Sequence, residues 1–157
     1  MSENEAMANA QQMLVSTFFV ADAAFGLDTA CIQEVVRVGD ITQVHHASPY
    51  LLGVMNLRGR IATVIDLSIK MELGRTEIGE KSRILILDCE GEQIGLLVQY
   101  VSDAISIDAA AIRPAPENVR RAQGKYVKGV FETEDRLIAL LDTDGVLAME
   151  DPRETTW

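Results

Sequence analysis

The chain has 157 residues, 48% of them hydrophobic and only 5% aromatic, with 24 acidic against 14 basic side chains for a formal charge of −10. A chain of this length buries roughly 68–70% of its unfolded surface, so it needs neither metal nor disulfide to fold as one domain of ordinary size. The acidic balance argues against nucleic acid, whose binding depends on Lys and Arg neutralising phosphates, and against an anionic membrane surface.

The chain opens on "MSENEAMANAQQM", which has no basic start and no apolar core; residues 1–13 are expected to be a flexible N-terminus and not a signal peptide. No apolar run approaches the ~18 residues that span a bilayer. Strand-like runs follow at Leu14–Ala21, Phe25–Asp28, Val35–Val38, Arg60–Asp66, Arg83–Asp88, Gln93–Val98, Ala104–Ile107, Val127–Glu132 and Arg136–Leu141. Turn chemistry separates several of them, in "ADAAFG", "DCEGEQ" and "ETEDR". Many short strands with few long helices predict an all-β sandwich or barrel. The tail "EDPRETTW", residues 150–157, is expected to be flexible, with Trp157 open between disorder and docking.

The chain also repeats itself. "FFVADAAFGLDTACIQEVVRVGDI" lies over "LILDCEGEQIGLLVQYVSDAISI" at an offset of 69 residues, placing Gly26 on Gly95, Leu27 on Leu96, Ile32 on Val101 and Glu34 on Asp103. At an offset of 76, "LLGVMNLRGRIATVIDL" lies over "VKGVFETEDRLIALLDT", placing Gly53 on Gly129, Arg60 on Arg136 and Asp66 on Asp142. Two copies of one small β unit are therefore expected, about 14–80 and 81–149, with terminal strands free to exchange between them. Each copy is too small to close a generous core alone. "KMELGRTEIGEK", residues 70–81, is the polar connector, and the groove between the copies is a natural binding place.

Catalytic or metal chemistry is hard to assemble. His45 and His46 are the only histidines; on a strand they would face opposite ways, and no H-x₃-H or C-x₂-C spacing exists, so no metal is expected. Cys31 and Cys89 read as small buried thiols in a reducing compartment. Phosphate loops, dinucleotide fingerprints and nucleophile elbows are absent. The carboxylates cluster at turns. An enzyme is not expected; the distant alternative is a small thiol-dependent enzyme, which requires a histidine beside Cys31 or Cys89 in a cleft.

What remains is surface. Glu34 interrupts "CIQEVVRV" and Arg58 interrupts "YLLGVMNLRGRIATVIDL", while the second copy carries Glu134 and Asp135 where the first has Arg58 and Gly59. A Glu34–Arg58 pair is the testable guess, because the guanidinium fork matches a carboxylate. Two readings stand: a solvated ion pair worth roughly 0–1 kcal/mol, or a fixed pair beside an apolar groove that sets the register of a partner.

Three segments, "FGLDTACIQEVVRV", "LLGVMNLRGRIATVIDL" and "IRPAPE", resemble the CheW family of chemotaxis coupling proteins, and the resemblance runs from Leu14 to Met149. Thr63 departs from it, standing where the family often has proline. The resemblance implies two packed SH3-like five-stranded β-barrels with short helices, and a non-catalytic scaffold without cofactor. It implies two partners: the signalling tip of a chemoreceptor, bound in the groove between barrels, and the regulatory domain of the CheA histidine kinase, bound through one barrel by residues no motif singles out. It places receptor-binding residues at Ile32, Glu34, Gly53, Asn56, Arg58, Ile61, Gly95 and Val101. It further implies a cytoplasmic protein recruited to receptor arrays at the inner membrane, without direct membrane binding, and with ring assembly open. A CheW-like regulatory module of a larger signalling protein is the near alternative.

Overall fold

The computed structural model describes residues 11–44 and 48–148. Residues 1–10, His45, His46, Ala47 and the segment 149–157 with Trp157 lie outside the described residues, so the expectations about both termini and the histidine pair are not addressed by it.

Among the described residues, ten strands and three short helices follow one another: β1 (Gln12–Val20), β2 (Ala23–Asp28), β3 (Ile32–Arg37), β4 (Leu51–Leu57), β5 (Arg60–Asp66), α1 (Leu67–Lys70), β6 (Arg83–Cys89), β7 (Glu92–Val98), β8 (Tyr100–Asp108), α2 (Glu117–Gln123), β9 (Val127–Glu132), β10 (Leu137–Leu141) and α3 (Thr143–Leu147). Nine of the ten match the expected runs. The unexpected one is β4, whose pattern is broken by Gly53 at a register shift between Leu51 and Gly53. Glycine is required there: φ is +148°, and a Cβ would overlap the Thr42 carbonyl. A glycine that lets another backbone approach looks, in sequence, like a loop residue.

The strands form two five-stranded sheets, ordered β8-β1-β2-β10-β9 (sheet A) and β3-β6-β7-β5-β4 (sheet B). Each draws a hairpin from one half of the chain and three strands from the other. The orders superpose when β1–β5 are exchanged with β6–β10, so the repeat seen in sequence is a repeat of structure. Each sheet contains one parallel pair, β2 with β10 and β7 with β5, and both curl round as SH3-like barrels. The end strands do not pair with each other. Instead the segment following each reaches across: Thr42 exchanges two backbone hydrogen bonds with Val54 (2.8 and 2.9 Å), and Arg113 does the same with Val130 (2.8 Å each). The matched glycines have matched reasons. A Cβ at Gly26 would stand 2.6 Å from Val15 Cγ1, and one at Gly95 would stand 2.6 Å from Ile84 Cγ2.

Strand β6 shows how the core is built. Its "ILIL" run is buried on both faces: Leu85 and Leu87 join the cluster between the sheets, while Ile84 and Ile86 join the cluster inside sheet B. A strand covered on both sides is continuously apolar and does not alternate. The inter-sheet cluster is the largest, with Phe18, Val20, Phe25 and Leu27 from sheet A against Ile65, Leu85, Leu96 and Val98 from sheet B; a third fills sheet A around Val15, Phe131, Ile138 and Leu140. Hydrophobic burial of this kind is worth about 25 cal/mol per Å², and it locks the sheets together. Cys31 and Cys89 are free thiols but half-buried, not fully buried as expected, because each lies at the rim of the core: Cys31 in a 3₁₀ turn, Cys89 at the last position of β6.

Candidate functional site

The β4–β5 hairpin is closed by two residues, Arg58 and Gly59, at φ +53° and +83°, with Leu57 opposite Arg60. Positive φ at both positions is the type I′ turn, whose twist suits the flanking strands. Asn56 stabilises it by accepting the Gly59 N–H on its side-chain oxygen at 2.9 Å. The same geometry recurs at Ala21-Asp22 and Glu90-Gly91, so left-handed backbone belongs to the turn and does not single out arginine. The arginine's side chain does distinguish this hairpin. Its Nη2 donates to Glu34 Oε2 at 2.5 Å, with Arg58 75% exposed and Glu34 only 24%. One edge of the guanidinium is thus held by a partly buried carboxylate on β3 while the rest faces solvent.

Glu34 reaches this place through an irregularity. Between Ile32, opposite Leu87, and Glu34, opposite Ile86, strand β3 carries one extra residue, Gln33. The bulge lets Ile32 pack on the inter-sheet cluster while Val36, further along, packs inside sheet B. Glu34 lies between them. Arg60 ties the β4–β5 tip to its neighbour by donating to the Gly91 carbonyl at 3.2 Å, and Gln93 donates to Gln33 at 3.3 Å. Next to Asn56 across the hairpin stands Ile61, 62% exposed.

The eight expected residues fall into three groups. Glu34, Asn56, Arg58 and Ile61 come together on one surface at the hairpin end of sheet B. Ile32 and Val101 sit half-buried on the end strands β3 and β8, both against the inter-sheet cluster, and so mark the seam from opposite sides. Gly53 and Gly95 are buried; close packing requires glycine at each, and neither exposes surface to a partner. Two further residues lie at this surface outside the expected set. Val35, opposite Leu85 on the seam strand, is 44% exposed; its place in an alternating apolar run on an end strand could have drawn attention. Arg60 was aligned only with Arg136, and its tie to Gly91 follows from a parallel strand pair that local pattern does not reveal.

No group of three or more His, Cys, Asp or Glu able to hold a metal occurs among the described residues. No helix among them is long and apolar enough to cross a membrane. The arrangement is an exposed surface with an oriented cation, an apolar neighbour and an apolar seam between two barrels.

Two SH3-like barrels sharing a core, with an oriented ion pair beside their seam, define a protein-binding scaffold. The family model of the CheW-like domain matches residues 14–151, and the chain belongs to this family of chemotaxis scaffolding proteins. It is 32% identical over 133 residues to the chemotaxis protein CheW of Thermotoga maritima, covering 85% of this chain and 86% of that one. It is 29% identical over 141 residues to the chemotaxis protein CheW of Klebsiella aerogenes, covering 90% and 84%. The crystal structure of the scaffolding protein TtCheW from Thermoanaerobacter tengcongensis superposes with a TM-score of 0.79 at 31% identity, over 87% of this chain and 88% of that one.

Proposed function

We propose that this chain is a non-catalytic adaptor that couples the cytoplasmic signalling tips of chemoreceptors to the CheA histidine kinase. It alters kinase activity by fixing geometry, and it works in the cytoplasm, recruited to receptor arrays at the inner membrane. The receptor tip, a helical hairpin, docks along the seam of the barrels as a helix in a groove. Ile32, Ile61 and Val101 give apolar contact, Arg58 and Glu34 give polar register, and Asn56 holds the turn that presents Arg58. Gly53 and Gly95 serve by keeping the frame closely packed.

The observation that carries this reading is the Glu34–Arg58 pair at 2.5 Å, with the acid withdrawn and the cation presented. An ion pair kept only for stability contributes little at such a surface. A guanidinium gripped on one edge keeps donors for a partner's carboxylate or carbonyl and loses less side-chain freedom when it binds.

The test is a pull-down and affinity measurement against isolated receptor signalling tips and the kinase regulatory domain, each alone. Arg58→Glu is expected to weaken receptor binding by about tenfold or more and to leave the fold intact. Glu34→Arg in the same chain is expected to restore part of the loss. Normal receptor binding by Arg58→Glu would refute the groove, and additive losses would refute the pair.

A further inference from the structure

At the other end of strand β3, three residues or about 10 Å beyond Glu34, Arg37 lies directly opposite Arg83 of β6. Like charges directly opposite across an antiparallel pair destabilise a sheet unless something compensates them. The chain itself supplies little compensation. Arg37 has no hydrogen-bond or ion-pair partner among the described residues, and Arg83 uses only Nη1, donating to the carbonyls of Glu80 and Ser82 at 2.8 Å each. This occurs in a protein with ten more acidic than basic side chains, where a carboxylate for either arginine would be easy to place.

The two arginines line an open pocket of about 520 Å³ with Val38, Ile41, Ile78 and Glu80. Ile78 is 55% exposed at its rim, on the connector between the two halves. Two guanidiniums with donors to spare, next to an exposed isoleucine and a short apolar wall, are complementary to a carboxylate flanked by an apolar side chain. We propose that this pocket docks an acidic, apolar-flanked peptide segment of a partner protein, with Arg37 and Arg83 sharing its carboxylate and Ile78 covering its apolar neighbour. This rests on the scaffold reading only in that a scaffold holds more than one protein; it is independent of the receptor groove. A segment fits better than a free anion because the apolar rim has nothing to offer an inorganic ion. Glu80 sets the selectivity, since it repels an anion that is not placed between the arginines.

The experiment uses the full chain, ¹⁵N-labelled, titrated with the capped peptide acetyl-Leu-Glu-Val-Glu-Leu-amide, with its Gln-for-Glu analogue, and with inorganic phosphate. The acidic peptide is expected to shift the amides of Val38, Ile78 and Gly79 together. Arg37→Ser is expected to weaken it about tenfold, as loss of a charge-assisted contact does, and Ile78→Ser to weaken the peptide without changing phosphate. Arg37 makes no contact that the fold needs, so this variant remains folded, and its thermal midpoint is expected to rise as the like-charge contact is relieved. Equal binding of the Gln analogue, or of phosphate as tightly as the peptide, would overturn the proposal. So would peptide binding that appears only after residues 149–157 are deleted, which would make the chain's own tail the occupant. Receptor-tip binding by Arg37→Ser is read in parallel and is expected to be unchanged. A failure here therefore leaves the groove standing, and a failure of Arg58→Glu leaves this pocket standing.

Discussion

The β4–β5 and β9–β10 hairpins hold equivalent places in the two sheets, and they differ where it matters. Their bases match: Gly53 and Gly129 each admit a crossing backbone, and Asp66 and Asp142 each cap the helix that follows. Their tips do not. The first is a two-residue type I′ turn that presents Arg58, whereas the second spans Thr133 to Arg136 with no left-handed residue, stabilised by Thr133 donating both its backbone N–H and its hydroxyl to the Arg136 carbonyl. The apolar residue after each tip is exposed in both, Ile61 and Leu137. Leu137, however, stands opposite Glu132, whose carboxylate pairs at 3.2 Å with Arg113 of the crossing segment, and Arg136 is turned back over the Phe19 ring at 4.7 Å, so the cations here are not carried on the turn itself. Duplication has preserved the frame and left the tips free to diverge, so function is to be sought where the copies disagree.

The frame predicts the largest effects. Gly53→Ala forces a Cβ into the Thr42 backbone at a φ of +148°, whereas Gly129→Ala meets the Ile112 side chain at 2.6 Å and the Arg113 carbonyl at 2.8 Å. We expect a loss of about 4 kcal/mol for the first and about 2 kcal/mol for the second in urea unfolding. Equal losses would mean that the tighter crossing and the positive φ at Gly53 do not set the cost. The caps come next. Asp66 is wholly buried and accepts from Ser68 N, Thr76 N and Thr76 Oγ1 at 2.7–3.0 Å, which pins the connector to sheet B. Asp142 is exposed and accepts only from Asp144 N at 3.1 Å. Asp66→Ala is expected to cost about 3 kcal/mol and Asp142→Ala about 1 kcal/mol. Hydrogen exchange in the connector should rise only in the Asp66 variant.

This contrast also shows what the sequence could convey. The pairing of Asp66 with Asp142 was legible because both end an apolar strand, but their unequal burial was not, since it depends on a connector folding back ten residues away. The strands were legible because covered sheets impose continuous or alternating apolar runs. Strand β4 was hidden because its glycine answers to the Thr42 backbone, a partner in space and not a local pattern. In the candidate site, the Glu34–Arg58 pair could be guessed from two charges interrupting apolar runs. The bulge at Gln33 that aims Glu34, and the tie from Arg60 to Gly91, exist only once sheet B is assembled. Aligning Glu134 and Asp135 with Arg58 and Gly59 also sets unlike turns side by side, because loop length and turn type do not follow from alignment alone.

The tips give the next prediction. Arg58→Glu should reduce receptor-tip affinity by about tenfold or more while changing stability by less than about 1 kcal/mol. Glu134→Arg, the matching reversal on sheet A, should leave affinity within about twofold. A gain for Glu134→Arg as large as the loss for Arg58→Glu would show that net charge, and not the oriented arginine, governs binding, since the two changes shift net charge in opposite directions, and a titration of salt concentration would separate the two cases.

The smallest effect concerns two tyrosines at matched positions. Tyr50 and Tyr126 each accept the backbone N–H of the capping aspartate at 2.8 Å, so their backbones are equivalent. Their surroundings are not. Lys70 Nζ lies 4.6 Å over the Tyr50 ring and donates to the Ala148 carbonyl at 2.6 Å. Tyr126 has Glu72 nearby, and burial first, then the Glu72 charge, raises its pKa above the usual 10.0. A raised phenol pKa means the folded state holds its proton more tightly than the unfolded chain. The associated stability is fully present below pH 10 and is lost as pH rises from there through the higher folded value. Tyr126→Phe should therefore flatten the alkaline limb of unfolding midpoint against pH, with little change at pH 7. Glu72→Gln should recover only part of that flattening, because burial is the larger cause. An alkaline limb that survives unchanged in Tyr126→Phe would assign it to another group and remove this difference between the two halves.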